Sequence, residues 1–382
     1  MQPISRVEFG PDDAGAFDKF FIDKYVEENN FKILSDNLFS IITGEKGSGK
    51  TALVKGINIF HKSKYTHIVN INFGDLSFSA IADRILKIHE TSNIDALYLM
   101  VNYWKYSFVT EAMKVIIDNK KLHLLPIESD MYNYLVNNDH MNEHLSTRLL
   151  NLSDKIVKIL EFVTKPKKNN DNNGLLGGIT TADLEKIKNF PLKTDKFPAL
   201  SSEFAEYLSN KQITILITLD GLDILRVEKR EDFKKLQLIF EGLIAATYHI
   251  STSEKYSTSI LLKSLIPYDI YLSLNPRDLD KYDEKSSKIR WDYYSLQEFL
   301  RKRITFSIDF KREVTFENAW HEIMPKKLSN THVDLEENSF DYLLRHTLYR
   351  PRQLQVHMQT LSQEYRDINI SSDMINDAIV LA

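Results

Sequence analysis

Residues Gly44-Glu-Lys-Gly-Ser-Gly-Lys-Thr51 place glycine, lysine and a hydroxyl residue at the spacing G-x-x-x-x-G-K-[ST]. That spacing has a physical purpose. Glycines let bare backbone N–H groups wrap an oxyanion at the start of a helix. A lysine at the seventh position reaches β- and γ-phosphate oxygens, and the hydroxyl that follows holds Mg²⁺. The flanks suit the motif. Phe39-Ser-Ile-Ile-Thr43 reads as a short buried strand, and Ala52 to Ile59 reads as the opening of a helix. The expected nucleotide-binding set is therefore Gly44, Glu45, Lys46, Gly47, Ser48, Gly49, Lys50, Thr51 and Ala52, with Thr51 as a metal ligand.

A second constellation lies far downstream. Ile213-Thr-Ile-Leu-Ile-Thr-Leu219 is an aliphatic run suited to a central parallel strand, whose two faces are both covered. It ends in Asp220, and a carboxylate at the tip of such a strand can hold Mg²⁺ directly or through water. Asp223 stands three residues on, placed to orient or activate a water. Further candidates are basic. Arg350 and Arg352 flank Pro351, which suits the first turn of a helix. Arg226 and Arg230 could serve a neighbouring subunit, although surface arginines need no such role, and Lys263-Ser264 could sense a terminal phosphate.

The elements that must position these residues alternate in type. Thr66 to Phe73 alternates as a strand, Glu231 to Glu254 reads as a helix, and Ser259 to Leu265 resumes a strand pattern. Asp12 to Glu28 reads as a helix with Phe17, Phe20, Phe21 and Tyr25 on one face. Between the two motifs, residues 79–164 are strongly helical. Leu97, Val101, Trp104, Phe108, Ala112 and Val115 form a stripe that predicts core packing, and a second helical run covers Ser146 to Phe162. Lys165 to Gly174 is polar and low in complexity, as expected of a mobile linker. After Trp291 the pattern is mainly helical, most clearly at Ser295 to Ile304 and Phe340 to Tyr365.

The predicted fold is α/β: a three-layer P-loop core with a mainly parallel sheet, a large helical insertion and a helical C-terminal domain. The predicted boundaries are 1–78 and 201–290 for the two parts of the core, 79–200 for the insertion and linker, and 291–382 for a C-terminal lid.

The chain has 382 residues, 43% hydrophobic and 27% charged, with a net charge of −4, which suits a folded multidomain protein. The net charge argues against bulk electrostatic binding of nucleic acid, while leaving a local basic face open. Without cysteine, disulfides, thiolate metal sites and cysteine nucleophiles are excluded. Met1 to Arg6 has no apolar signal core, and the stretch from Asp95 to Ile117 is broken by Asn102, Lys105, Glu111 and Lys114. A cytoplasmic location without a membrane span is the expectation.

Gly44 to Leu53 together with Leu219-Asp-Gly-Leu-Asp223 resembles the ATPases of the STAND and AAA+ group. More narrowly, it is similar to bacterial P-loop ATPases often associated with phage defence. The likeness extends to Pro267-Tyr-Asp-Ile-Tyr271, Lys288-Ile-Arg-Trp291 and Thr347-Leu-Tyr-Arg-Pro-Arg-Gln-Leu354. It implies ATP with Mg²⁺, catalytic roles for Lys50, Asp220 and Asp223, and a lid arginine, Arg350 or Arg352, that reaches the γ-phosphate. It also implies a homo-oligomer or a partner effector protein. The chain departs from AAA+ proteins at Gly221, where they place a glutamate, and in the long separation of its two motifs.

Other P-loop classes fit less well. The guanine motif [NT]-K-x-D is absent, since Thr164-Lys-Pro-Lys167 ends in lysine. Leu175 to Ile179 is a poor match to an ABC signature and lies too far upstream. A small-molecule kinase shares the loop but has less use for the helical additions. The rival from another class is a nucleotide-gated binding module that hydrolyses little and recruits a partner.

Overall fold

Aliphatic runs set the strands. In the computed structural model β1 (Ile41–Gly44), β2 (His67–Asn72), β3 (Ile215–Asp220), β4 (Ile260–Pro267) and β5 (Ser286–Lys288) form one parallel sheet in the order β2-β3-β4-β1-β5. The residues described are 2–11, 19–26, 38–72, 78–92, 94–119, 124–138, 140–141, 196–222, 230–274, 279–310, 312–330, 335–366 and 370–381. Register runs from His67↔Ile215 to Asn72↔Asp220 and from Ile215↔Ile260 to Leu219↔Ser264. Next to β4, the Ser264 N–H donates to Ser40 O at 2.9 Å, and the Ser40 and Ile41 N–H groups donate to Lys285 O. Residues Ile215 to Leu219 are all buried, which is why this strand carries no alternating polar face. The chain divides into two units, 1–36 with 44–61 and 288–382, and 37–43 with 62–287.

The unit of residues 37–43 and 62–287 holds most of the sheet and the helices Phe78–Ser92, Ala96–Asp118, Pro126–Asn137, Phe197–Asn210 and Arg230–Ser251. Asp95 starts the longest of these by accepting from the Tyr98 N–H at 2.9 Å, an N-cap that satisfies one orphan donor. Val101, Trp104, Phe108 and Ala112 of the expected stripe are buried, with Leu97 and Val115 packed at its margin. The Trp104 indole donates to Ile239 O at 3.1 Å, tying this helix to Arg230–Ser251. Ile85, Trp104, Met131, Ile217 and Ile260 belong to one continuous core. The described helices of the 79–200 region are therefore a layer of the sheet's own core. The Ser146 to Phe162 helix and the Lys165 to Gly174 linker fall outside the described residues.

The unit of residues 1–36, 44–61 and 288–382 is built on helices Lys50–Phe60, Tyr293–Ser307, Phe316–Ile323, Ser339–Arg345, Pro351–Glu364 and Ser372–Leu381. Leu296, Trp320, Phe340, Leu343, Leu354 and Met358 form its core, joined by Ile4 and Phe9 from the start of the chain. Gln355 fixes that N-terminal segment by donating to Gly10 O at 2.8 Å and Pro11 O at 2.6 Å.

Two local features depart from the periodicity. The Phe340 to Tyr365 segment is two helices rather than one, because Leu348 and Tyr349 take left-handed conformations (φ 49° and 56°) and Pro351 then starts a new helix. An antiparallel hairpin, Lys327–Asn330 with Leu335–Asn338, lies within the region expected to be mainly helical. Of the predicted Asp12 to Glu28 helix, the described part is helical over Phe21–Lys24. Among the described residues no helix is long and apolar enough to cross a membrane.

Trp104 is 1% exposed and carries both packing and a hydrogen bond into the sheet's core. Trp104→Ala is expected to cost about 3–5 kcal/mol. Urea unfolding followed by far-UV circular dichroism measures this. An unchanged midpoint would show that the Ala96–Asp118 helix is dispensable to the sheet.

Candidate phosphate-binding site

β1 delivers the chain to Gly44, and the helix Lys50–Phe60 begins five residues after Glu45 with Gly49 as its N-cap. Between them Gly47 (φ +82°) and Gly49 (φ +94°) take left-handed conformations that side chains resist. The Ser48 N–H closes the turn onto Glu45 O at 3.1 Å. No side chain caps the helix, and its first turn has no acidic residue. Its first amide groups and the positive end of its dipole are thus not neutralised by local carboxylates.

Lys50 is buried, and burying an ammonium is costly unless its donors are satisfied. Its Nζ donates to Gly44 O at 2.9 Å and Glu45 O at 3.1 Å, so the loop's own carbonyls orient it. Thr51 is exposed. Ser48 is 5% exposed, and its Oγ has no hydrogen-bond partner. This hydroxyl lies 2.5 Å from where a Cβ on Gly44 would stand, so a side chain there would force Ser48 to turn. An orphaned buried hydroxyl costs about 1–3 kcal/mol, which an oxyanion in the loop would offset. Gly44 to Ala52 therefore fit a polyphosphate: left-handed glycines, an uncapped helix start, an oriented lysine and an unused buried hydroxyl.

Two other segments of the same unit, Lys288 to Trp291 and Arg350 to Arg352, hold the loop. Glu45 accepts from Lys288 Nζ at 3.2 Å and from Arg350 Nε and Nη2 at 2.7 Å and 2.5 Å. The Trp291 indole donates to Ser48 O at 2.8 Å. The Arg352 N–H points at Gly47 O at 3.4 Å, and a Cβ on Gly47 would meet the Arg352 Cβ at 3.0 Å. Gly47 is thus favoured by its φ and again by the close approach of the helix Pro351–Glu364. Burial alone raises the Glu45 carboxyl, but hydrogen bonds from Lys288 and Arg350 outweigh it and hold the group below its ordinary value of 4.5.

Of the predicted site residues, the structure gathers Gly44 to Thr51, Arg350 and Arg352 in one place. Asp220 ends β3, half-buried, in register with Asn72. β1 and β3 are both neighbours of β4, and in a parallel sheet their carboxyl ends share one edge. Gly221 follows with φ +84°, so a glutamate at that position would be strained. Asp223 and Arg226 lie outside the described residues, as does the side chain of Arg230. Lys263 is buried with its Nζ donating to Phe39 O, and Ser264 Oγ pairs with Thr247 Oγ1 at 2.8 Å. Both polar groups are thus engaged inside their own unit. Sequence reasoning gave Lys288 and Trp291 no role. Each contacts the loop across 243 residues, a separation no local spacing reveals.

No family model, curated protein or solved structure matches this chain.

Gly47→Ala is expected to cost about 1–2 kcal/mol from the left-handed φ alone, and more once Arg352 is displaced. Gly49→Ala, with 3.9 Å to Trp291 Cζ2, should show the φ cost without that crowding. Thermal unfolding of the two variants separates the effects. The Glu45 clamp has its own pH signature. The folded state favours the ionised form, so the clamp stabilises above the ordinary value of 4.5 and is lost as pH falls through the lower folded value. Wild type should melt above Glu45→Gln at neutral pH, by no more than about 1 kcal/mol for so exposed a pair, and the gap should close in acid.

Proposed function

We propose that this chain is a P-loop ATPase of the STAND/AAA+ type that binds ATP with Mg²⁺ through Gly44 to Ala52 and works as a conformational switch or assembly motor. The observation that carries this reading is the loop itself, with its left-handed glycines, the uncapped helix, Lys50 turned by two loop carbonyls, and the orphaned Ser48 hydroxyl. Lys50 supplies positive charge to the β- and γ-phosphates. Thr51 and Asp220 are the residues that would hold Mg²⁺, which neutralises phosphate charge when bound. Support for Asp220 comes from its place at the carboxyl end of β3, the edge of a parallel sheet where ligands bind. Asp223 is the proposed water-orienting residue. Arg350 and Arg352 are proposed to read the terminal phosphate, supported by their position on the loop.

The absence of a guanine motif favours adenine. A homo-oligomer or a partner effector, and a role in bacterial anti-phage defence, follow from the resemblance of the motifs.

One observation favours the second reading, a nucleotide-gated binding module with little hydrolysis. The left-handed backbone at Gly221 accommodates glycine in place of the carboxylate that AAA+ enzymes use to activate water. Multiple-turnover phosphate release separates the two readings.

Lys50→Ala should weaken Mg²⁺–ATP binding roughly tenfold or more, since a charge-assisted contact is worth about 1.5–3 kcal/mol. Asp220→Asn should weaken binding only when Mg²⁺ is present. Calorimetry that finds the wild-type affinity in Lys50→Ala would end the assignment.

A further inference from the structure

Glu45 occupies a variable position of the phosphate loop, yet both its oxygens are engaged. Oε1 accepts from Lys288, and Oε2 accepts two donors of the Arg350 guanidinium. One carboxylate is therefore shared by two cations from separate segments of the C-terminal part of the chain. Carboxylates and phosphates compete for the same donors, because both present oxygen acceptors that suit the guanidinium fork. Arg350 is also held at some cost. The two residues before it, Leu348 and Tyr349, are both left-handed without being glycine (φ 49° and 56°), and both are exposed, so no burial explains the conformation. The turn that carries Arg350 is therefore locally strained.

We infer that Glu45 is a built-in competitor for the terminal phosphate: its carboxylate holds Lys288 and Arg350 until a triphosphate draws them away, and so it sets the loop's preference between triphosphate and diphosphate. The inference rests on the reading of Gly44 to Thr51 as a nucleotide site. A diphosphate leaves the Glu45 clamp closed. A triphosphate brings extra negative charge beside Glu45, and Arg350 transfers toward it. Because Arg350 is the N-cap of the helix Pro351–Glu364, and the Arg352 N–H lies on Gly47 O, that transfer moves the start of this helix. Such a difference in contacts between two ligands is what shifts a conformational equilibrium. Glu45 acts here as a positioning residue for Lys288 and Arg350.

The test is calorimetric titration of the full-length chain with Mg²⁺–AMP-PNP and with Mg²⁺–ADP. Glu45→Gln keeps an acceptor oxygen but removes the competing charge. It is expected to raise the affinity for AMP-PNP relative to ADP by about tenfold, the lower end for a charge-assisted contact that is partly exposed. Arg350→Gln should do the opposite, weakening AMP-PNP while leaving ADP nearly unchanged, and the double variant should lose the Glu45→Gln gain. Thermal melting verifies that each variant is folded, and if Glu45→Gln does not fold, Glu45→Ala, which removes the same charge, takes its place with the same expected gain. A wild-type chain that binds both nucleotides while Glu45→Gln leaves their ratio unchanged, or weakens both equally, overturns the inference alone. A wild-type chain that binds neither overturns the nucleotide site and the inference with it.

Discussion

A helix that starts without a capping side chain must leave its first amide donors for something other than itself. The helix Lys50–Phe60 starts this way, on a left-handed glycine, with no acid in its first turn and with a buried serine hydroxyl unmatched beside it. A serine or aspartate would cap such a start from extended backbone, but the left-handed φ of Gly49 (94°) disfavours either side chain there. Glycine there leaves the first turn without a side-chain cap. The rest of the unit holds the loop that leads into this helix.

The loop's shape is kept by residues remote in sequence. Trp291 fixes the loop at Ser48 O, Arg352 approaches Gly47 closely enough to crowd a side chain there, and Lys288 and Arg350 share Glu45. None of these contacts is strong alone, since partly exposed ion pairs contribute little to stability. Together they act at successive residues of one short turn, so they restrict its conformation more than they stabilise the fold. A loop pre-shaped in this way loses less entropy when an anion enters. The same contacts give the helix Pro351–Glu364 a direct mechanical link to whatever the loop holds.

In the other unit, apolar burial does the work that polar contacts do around the loop. Trp104, Ile217 and Ile260 share a core that spans helices and strands, and the indole of Trp104 uses its one polar atom to join two helices. The described helices between the two motifs therefore act first as structural cover for a sheet whose central strand is buried on both faces. A binding role for that region would have to reside in residues that do not take part in this core.

The sequence by itself determined the loop, the strand that ends in Asp220, the parallel sheet and the buried stripe of Ala96–Asp118, because each depends on local spacing. Glycines at fixed offsets, an unbroken aliphatic run and helical periodicity are all written within a dozen residues. Sequence also singled out Arg350 and Arg352, through Pro351. Only the tertiary structure decided what surrounds the loop. Glu45 looked like a filler position until Lys288 and Arg350 were brought to it from 243 and 305 residues away. The break at Leu348 and Tyr349 was equally hidden, since neither residue favours a left-handed backbone. The need for glycine at position 221 came likewise from the backbone. Periodicity records which face of an element is buried. It does not record which charges meet when distant elements are folded together, and the electrostatics of this site depend on that meeting.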